Sequence, residues 1–257
     1  MRILLIGDIF GKPGRQAVNG HLPRLKRSLA PDVVIANAEN IAGGAGLTTE
    51  TCRDMFALGA DVLTTGNHVW DRREILQYIA TEPRLLRPMN YPEGTPGKGW
   101  ILLEEHDLLV MSAQGRVFMR SLDDPFRAVD RVVSDNPARF SILDFHAEAT
   151  AEKKAMGYHL DGRVSAVVGT HTHVQTADEQ VLPKGTGFIS DVGMTGPIHS
   201  IIGNEPESTL PRYLSQLPAR SQPGTGRAEL RAVFIELDDA SGMARQVTRI
   251  REEWPPL

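Results

Sequence analysis

Short apolar runs that alternate with helical spacing constrain the fold of this 257-residue chain more than any other feature. Near the amino terminus, buried-strand runs alternate with helical patterns: strands at 2–7, 33–36 and 61–65, helices at 15–29 and from Thr48 or Thr49 to 58. Near the carboxyl terminus, runs at 230–237 and 246–251 flank a short turn and predict a hairpin. Strands that alternate with helices early in the chain and pair as a hairpin late in the chain indicate an α/β fold with mixed, layered sheets rather than a purely parallel sheet.

The middle of the chain continues this pattern. We predict a hairpin of strands at 100–104 and 108–112, further strands at 140–145, 164–169 and 187–190, and helices at 72–80, 125–133, 149–159 and 205–216. The segment 82–99 is rich in proline and glycine and is predicted to be irregular. The length suits one domain spanning 1–257.

Composition narrows the classes of function. The net charge of -4 argues against a basic face that would form an extended nucleic-acid groove. It leaves room for a small phosphate substrate, because bound metal ions bring positive charge to a site. Cys52 is the only cysteine, which excludes a disulfide within the chain and disfavours a cysteine metal site. Since no apolar run reaches the ~18 residues of a membrane span and no signal peptide is visible, we expect no membrane association and a cytoplasmic location.

Polar side chains follow the apolar runs where the predicted strands end. Gly66 ends one run and is followed by the amide of Asn67 and the imidazole of His68. Both lie at the carboxyl end of the strand, where open α/β sheets bind ligands. The full set is Asp8, Glu39, Asn40, Asn67, His68, His146, His171 and His173. We expect these residues to meet on one edge of one sheet. His171 and His173, two apart on an extended segment, are expected to point to the same side.

Each of these residues alone has an ordinary structural explanation. An aspartate after a strand is often a turn or cap residue, and a single histidine is more often a surface or core residue than a ligand. Their convergence favours a site for two divalent ions that clamp a phosphate. Asp8 and Glu39 supply only two negative charges, so such a pair of ions stays positive and attracts an anion. Imidazole and amide ligands indicate iron or manganese, which we expect to be divalent or mixed-valence, with zinc as a third candidate.

The spaced motifs resemble those of the calcineurin-like metallophosphoesterases. They are Gly7-Asp8, Gly66-Asn67-His68, His146 and Gly169-Thr-His171-Thr-His173, in the same order along the chain. Two positions depart from the general pattern: Phe10 replaces a histidine, and Glu39 stands where an aspartate is usual. Both departures, and the segments 1–15, 38–40, 65–71 and 190–197, resemble the YmdB-type 2',3'-cyclic-nucleotide phosphodiesterases. This resemblance implies a sandwich of two facing mixed β-sheets flanked by helices.

The resemblance also implies which ion each candidate ligand would bind. Asp8, Glu39, Asn40 and His173 would hold one ion, and Glu39, Asn67, His146 and His171 the other, with Glu39 bridging. Asn40 would take the place of the histidine missing at Phe10. His68 would not be a ligand but would lie beside the phosphate. On chemical grounds we expect a hydroxide between the metals to attack phosphorus and His68 to act as the general acid that protonates the leaving ribose oxygen. The implied activity is hydrolysis of 2',3'-cyclic nucleotides, and of other small phosphate esters as well.

Other functions remain open at this point. A broad phosphomonoesterase would use the same ligands, and a regulatory metal-binding protein with little turnover would keep them too. A zinc amidohydrolase is disfavoured, because its His-x-His pair closes the first strand whereas His171 and His173 come late. A homo-oligomer is compatible with the sequence. For Trp70 and Phe118, core packing is favoured over stacking on a nucleobase.

Overall fold

The computed structural model describes residues 1–254, so the last three residues of the predicted 1–257 domain lie outside the described part. The strands are β1 Arg2–Ile6, β2 Asp8–Ile9, β3 Val33–Asn37, β4 Val62–Thr64, β5 Trp100–Leu103, β6 Leu108–Gln114, β7 Phe140–His146, β8 Ala166–Thr170, β9 Gln180–Val181, β10 Gly187–Ile189, β11 Met194–Pro197, β12 Ala228–Leu237 and β13 Ala244–Trp254. The α-helices are α1 Gly11–Leu29, α2 Thr49–Leu58, α3 Ile75–Ile79, α4 Pro125–Asp135, α5 Thr150–His159 and α6 Pro206–Ser215.

The strands form two mixed sheets. The first has seven strands in the order β2-β11-β12-β1-β3-β4, with β13 paired to β12. The second has six strands in the order β5-β6-β7-β8-β10-β9. In the first sheet β1, β3 and β4 run parallel, and in the second β6, β7, β8 and β10 run parallel. Hairpin partners lie antiparallel at the edges, as the α/β sandwich expected from the sequence requires.

Central strands such as β1 and β3 are apolar over most of their length because both of their faces are covered. In β1, Leu4 and Ile6 pack against the helices α1, α2 and α3, whereas Ile3 and Leu5 face the second sheet. The outer face of the second sheet packs against α4 and α5, for example through Phe145. Three apolar layers thus hold the two sheets and their helices together.

Two helix starts follow the local signals in the sequence. Thr48 accepts a hydrogen bond from the backbone of Thr51, whose hydroxyl bonds back to Thr48, and this capping box begins α2. Asp124 caps α4 directly before Pro125. Two other helices differ from the prediction. α1 begins four residues earlier than the predicted residue 15, because Pro13 is tolerated in a first turn, and α3 is shorter than the predicted 72–80.

The prediction that the site lies on one edge of one sheet is wrong. Asp8, Glu39 and Asn67 follow strands of the first sheet, whereas His146 and His171 follow strands of the second. The residues still meet, because the parallel strands of both sheets end at the same edge of the sandwich. Within residues 1–254 no helix has both the length and the hydrophobicity needed to cross a bilayer.

Candidate metal centre

The candidate ligands from five strand ends form one cluster between the two sheets. Asp8, Glu39 and His146 are fully buried, and Asn40 is 2% exposed. Two groups of side chains each bring their ligand atoms within 4.8 Å of one another, and Glu39 belongs to both groups. The first group is completed by His146 and His171, and the second by Asp8 and His173.

The first group is centred on the Nε2 atom of His146. This atom lies 3.1 Å from Oε1 of Glu39, 3.1 Å from Oδ1 of Asn67 and 3.0 Å from Nδ1 of His171. One ring nitrogen can donate one proton, yet three electron-rich atoms surround it. An arrangement of this kind suits a cation that accepts electron pairs from all of them.

The second group surrounds the carboxylate of Asp8. Nε2 of His173 lies 3.9 Å from Oδ1 of Asp8 and 3.2 Å from the amide nitrogen of Asn40. The same amide nitrogen lies 3.0 Å from Oε1 of Glu39. Asn40 therefore lies beside the bridging carboxylate and His173, and a turn of its amide would present the oxygen to a cation.

The backbone of the histidine pair differs from the prediction of an extended segment. His171 has φ of 102° and His173 has φ of 67°, so both lie in the left-handed region. Their rings consequently diverge, and each joins a different group. Left-handed backbone is unfavourable for residues other than glycine, and it persists only where surrounding contacts hold it.

Hydrogen bonds on the outer side of each histidine fix which nitrogen faces the cluster. Nδ1 of His173 donates to the carbonyl of Ile202 at 2.9 Å, and Nε2 of His171 lies 3.2 Å from a carboxylate oxygen of Glu148. Nδ1 of His146 lies 2.9 Å from the hydroxyl of Thr170. In all three rings the remaining nitrogen points inward, as in metal-binding histidines.

Asp144 is a functional candidate that the sequence reasoning missed. It is fully buried, and it accepts hydrogen bonds from Thr170 at 2.6 Å, Thr64 at 2.5 Å and Asn37 at 3.1 Å. Because the Thr170 hydroxyl donates to Asp144, it must accept from His146, and this chain orients that ring. A charged residue within the apolar run of β7, two positions before His146, was the available signal.

The charged groups of the cluster shift one another's pKa values. Burial raises the pKa of Asp8 to about 6, although His173 and His146 oppose the shift. Burial also opposes ionisation of Glu39, but the neighbouring His146 outweighs it and lowers the pKa to about 2. Burial disfavours charge on His146, yet Glu39 and Asp8 raise its pKa to about 9. Without an ion, a proton on His146 compensates the buried carboxylates.

Two further observations test whether the cluster fits metal ions. Oδ1 of Asp8 is buried and has no hydrogen-bond partner within residues 1–254, which is costly unless another group such as a cation completes its shell. A Cβ atom on Gly66 would lie 2.0 Å from the ring of His146, so only glycine lets the two elements approach. The donor set of carboxylates, amides and inward imidazoles fits borderline divalent ions.

His68 lies beside the cluster and differs from the candidate ligands. Its backbone nitrogen donates to Oε2 of Glu39 at 3.3 Å, and its side chain is 40% exposed. Nδ1 of its ring lies 2.7 Å from Oδ2 of Asp71, a partner that the sequence reasoning missed although it follows one helical turn later. The bond to Asp71 leaves Nε2 free.

The two aromatic residues considered earlier behave differently. Trp70 is partly buried against the core and packs edge-to-face on Tyr91 with ring centres 5.7 Å apart, as predicted. Core packing of Phe118 is wrong, because that side chain is 89% exposed.

This chain is similar to known proteins in both sequence and structure. A family model described as YmdB-like protein matches residues 4–250. The chain is 47% identical over 254 residues to the 2',3'-cyclic-nucleotide 2'-phosphodiesterase of Bacillus subtilis, covering 97% of this chain and 96% of that protein.

Two solved structures have the same fold over at least 94% of their length. A hypothetical protein from Thermus thermophilus aligns with a TM-score of 0.94 and 44% identity, covering 99% of this chain and 100% of that chain. A phosphatase from Mycoplasma pneumoniae aligns with a TM-score of 0.95 and 30% identity, covering 100% of this chain and 94% of that chain. The match at both levels shows that the chain belongs to the YmdB-like family of phosphoric ester hydrolases.

Proposed function

We propose that this chain is a metal-dependent phosphodiesterase that hydrolyses 2',3'-cyclic nucleotides. The single observation that carries the proposal is the pair of ligand groups joined by Glu39 at the common edge of the sheets. The named activity of the Bacillus subtilis relative supports the choice of substrate. A net positive pair of ions beside a 40% exposed His68 suits a small anionic ester that reaches the site from solvent.

The seven ligands would divide into two sets. Asp8, Glu39, Asn40 and His173 would hold one ion, for which the amide oxygen of Asn40 turns inward. The other ion would be held by Glu39, Asn67, His146 and His171. The inward nitrogens of the three histidines and the unpartnered Oδ1 of Asp8 support this division. We propose iron or manganese as the native metals, with zinc as the third candidate.

Two divalent ions bound at such a site would supply positive charge that neutralises the phosphoryl oxygens and acidifies water. The residues of the chain do the rest. Glu39 fixes the backbone of His68 through its Oε2 atom, so the imidazole is held next to the bridging carboxylate. Asp71 accepts a hydrogen bond from Nδ1 of His68. This bond orients the ring so that Nε2 is directed away from Asp71.

We further propose that His68 is the general acid. The ribose oxygen that leaves a cyclic phosphate is strongly basic and needs a proton as its bond to phosphorus breaks. With its Nδ1 held by Asp71, His68 donates that proton from Nε2 and regains a proton from solvent. The exposure of the ring permits this exchange.

Turnover on three substrates after metal reconstitution tests the proposed function. Protein freed of metal by a chelator and reloaded with Mn²⁺ should hydrolyse 2',3'-cyclic AMP, and the metal-free protein should not. Much faster hydrolysis of 4-nitrophenyl phosphate would instead identify a phosphomonoesterase. Stoichiometric metal binding without turnover on either substrate or on 3',5'-cyclic AMP would identify a regulatory metal-binding protein.

We also propose that residues 1–257 act as one domain. Strands β11, β12 and β13 from the carboxyl-terminal part complete the sheet that begins with β1. Limited proteolysis that released a stably folded fragment would contradict this proposal.

A further inference from the structure

Helix α5 carries a buried lysine that the proposed chemistry does not use. Lys153 is 1% exposed, and its ammonium group lies 2.6 Å from Oδ2 of Asp191. Lysine is almost never fully buried unless it is paired, and a buried pair is costly to form. The contacts of Asp191 show what this pair holds in place.

Asp191 holds the residue between the two histidines of the candidate metal centre. Its Oδ2 atom accepts hydrogen bonds from the backbone nitrogen of Thr172 at 3.0 Å and from the Thr172 hydroxyl at 2.8 Å. Its Oδ1 atom accepts from the backbone nitrogen of Gly193 at 2.8 Å. Because N–H groups bond both oxygens, the position suits a carboxylate, and the ammonium group of Lys153 is its buried partner.

The hydrogen bonds between Thr172 and Asp191 lie where the backbone has its unfavourable left-handed conformation. His171 and His173 both have left-handed φ angles, of 102° and 67°, on either side of Thr172. Such a segment keeps its conformation only where the surrounding contacts impose it. The hydrogen bonds that Thr172 donates to the buried Asp191 supply that constraint.

Asp191 also lies where the chain passes from the second sheet to the first. Beyond it, the backbone nitrogen of Val192 donates to the carbonyl of Gly169 at 2.9 Å, and that of Met194 to the carbonyl of His173 at 3.2 Å. Met194 then pairs with Asp8 in β11 and β2. Candidate ligands from both sheets are thereby tied to one short segment.

We infer that Lys153 and Asp191 are positioning residues that set His171 and His173 for both metal ions at once. The inference rests on the proposed metal centre. Since the two histidines belong to different ligand groups, disturbing Thr172 should weaken both ions together. A defect in a single ligand such as Asn40 should instead weaken mainly one.

Mn²⁺ titration of metal-free protein tests this inference, with free Mn²⁺ measured by electron paramagnetic resonance. The variants are Thr172→Val, Lys153→Met and the charge-balanced double variant Lys153→Met/Asp191→Asn. Lys154→Met is the matched control, because Lys154 neighbours Lys153 but is 46% exposed and lies 3.6 Å from Asp178. Thermal unfolding of each metal-free variant measures folding separately.

We expect the Kd of both ions to rise roughly 10- to 100-fold in Lys153→Met and in the double variant, as for other residues that orient metal ligands. Thr172→Val should raise both Kd values by about 10-fold while the metal-free protein unfolds at the wild-type temperature. Lys154→Met should bind Mn²⁺ as the wild type does.

Wild-type affinity for both ions in Thr172→Val, or in a folded Lys153→Met or double variant, would overturn the inference. Weakening of one ion alone would overturn it as well. If Lys153→Met does not fold, Thr172→Val still decides the question. Because the readout is metal affinity, the inference stands or falls independently of whether the wild type hydrolyses 2',3'-cyclic AMP.

Discussion

Replacing His68 by alanine separates proton transfer from metal binding. The change removes a ring whose side chain is 40% exposed, so the free energy of unfolding should change by no more than about 0.5 kcal/mol. The backbone nitrogen that donates to Glu39 remains in alanine, so the bridging carboxylate keeps this contact. We therefore expect His68→Ala to bind both metal ions as the wild type does.

The loss of activity should depend on the leaving group. General acid catalysis is worth ~10²–10⁴ in rate where the leaving oxygen is strongly basic. His68→Ala should therefore lose about 10²-fold or more on 2',3'-cyclic AMP, equivalent to at least ~2.7 kcal/mol in the barrier. A nitrophenolate needs little protonation, so the loss on bis(4-nitrophenyl) phosphate should be much smaller.

Steady-state kcat/KM on the two substrates, with metal content measured on the same samples, is the assay. Asp71→Asn is a useful companion, because it keeps the ring of His68 but weakens the bond at 2.7 Å that orients it. Asp71→Asn should also lose more kcat/KM on 2',3'-cyclic AMP than on bis(4-nitrophenyl) phosphate, but both losses should be smaller than those of His68→Ala. Equal losses of His68→Ala on both substrates would refute proton donation and assign His68 to holding the phosphate. Loss of metal would make His68 a ligand.

Three further substitutions have expected outcomes. Glu39→Gln should lower the occupancy of both ions and abolish turnover, because Glu39 belongs to both ligand groups; full occupancy by elemental analysis with near-normal activity would show that it is not a ligand. Asn40→Ala should weaken the ion beside Asp8 and His173 more than the other, as measured by Mn²⁺ titration, and equal weakening would count against the assignment. Asp144→Asn should raise the Kd of the ion beside His146 by about 10-fold, since an amide cannot accept from Thr170, Thr64 and Asn37 together; an unchanged Kd would show that this chain of bonds does not orient the ring.

The sequence predicted the elements whose local signals are strong. Continuous apolar runs gave β3, β7 and most of β12, and the cap residues Thr48 and Asp124 marked two helix starts. The short strands β2, β9 and β11 were not predicted, because two to four residues carry no periodicity and their pairing is set by distant partners.

The candidate ligands could be collected from the strand ends, but their arrangement could not. Residues spaced along one chain do not reveal that two sheets supply them, nor that His171 and His173 have left-handed backbone. The supporting partners Asp144, Lys153 and Asp191 act through contacts between elements far apart in sequence, 38 residues apart for the last two. Such contacts become visible only once the strands are packed.

The central claim is that two ions share Glu39 at the meeting edge of the sheets. A crystal structure of protein loaded with Mn²⁺, with anomalous difference density measured at the manganese edge, tests it most directly. We predict two peaks ~3.5–4 Å apart, both bound by Glu39, one beside Asp8 and His173 and the other beside His146 and His171. A single peak, or two peaks with Glu39 outside the coordination shell of either, would contradict it.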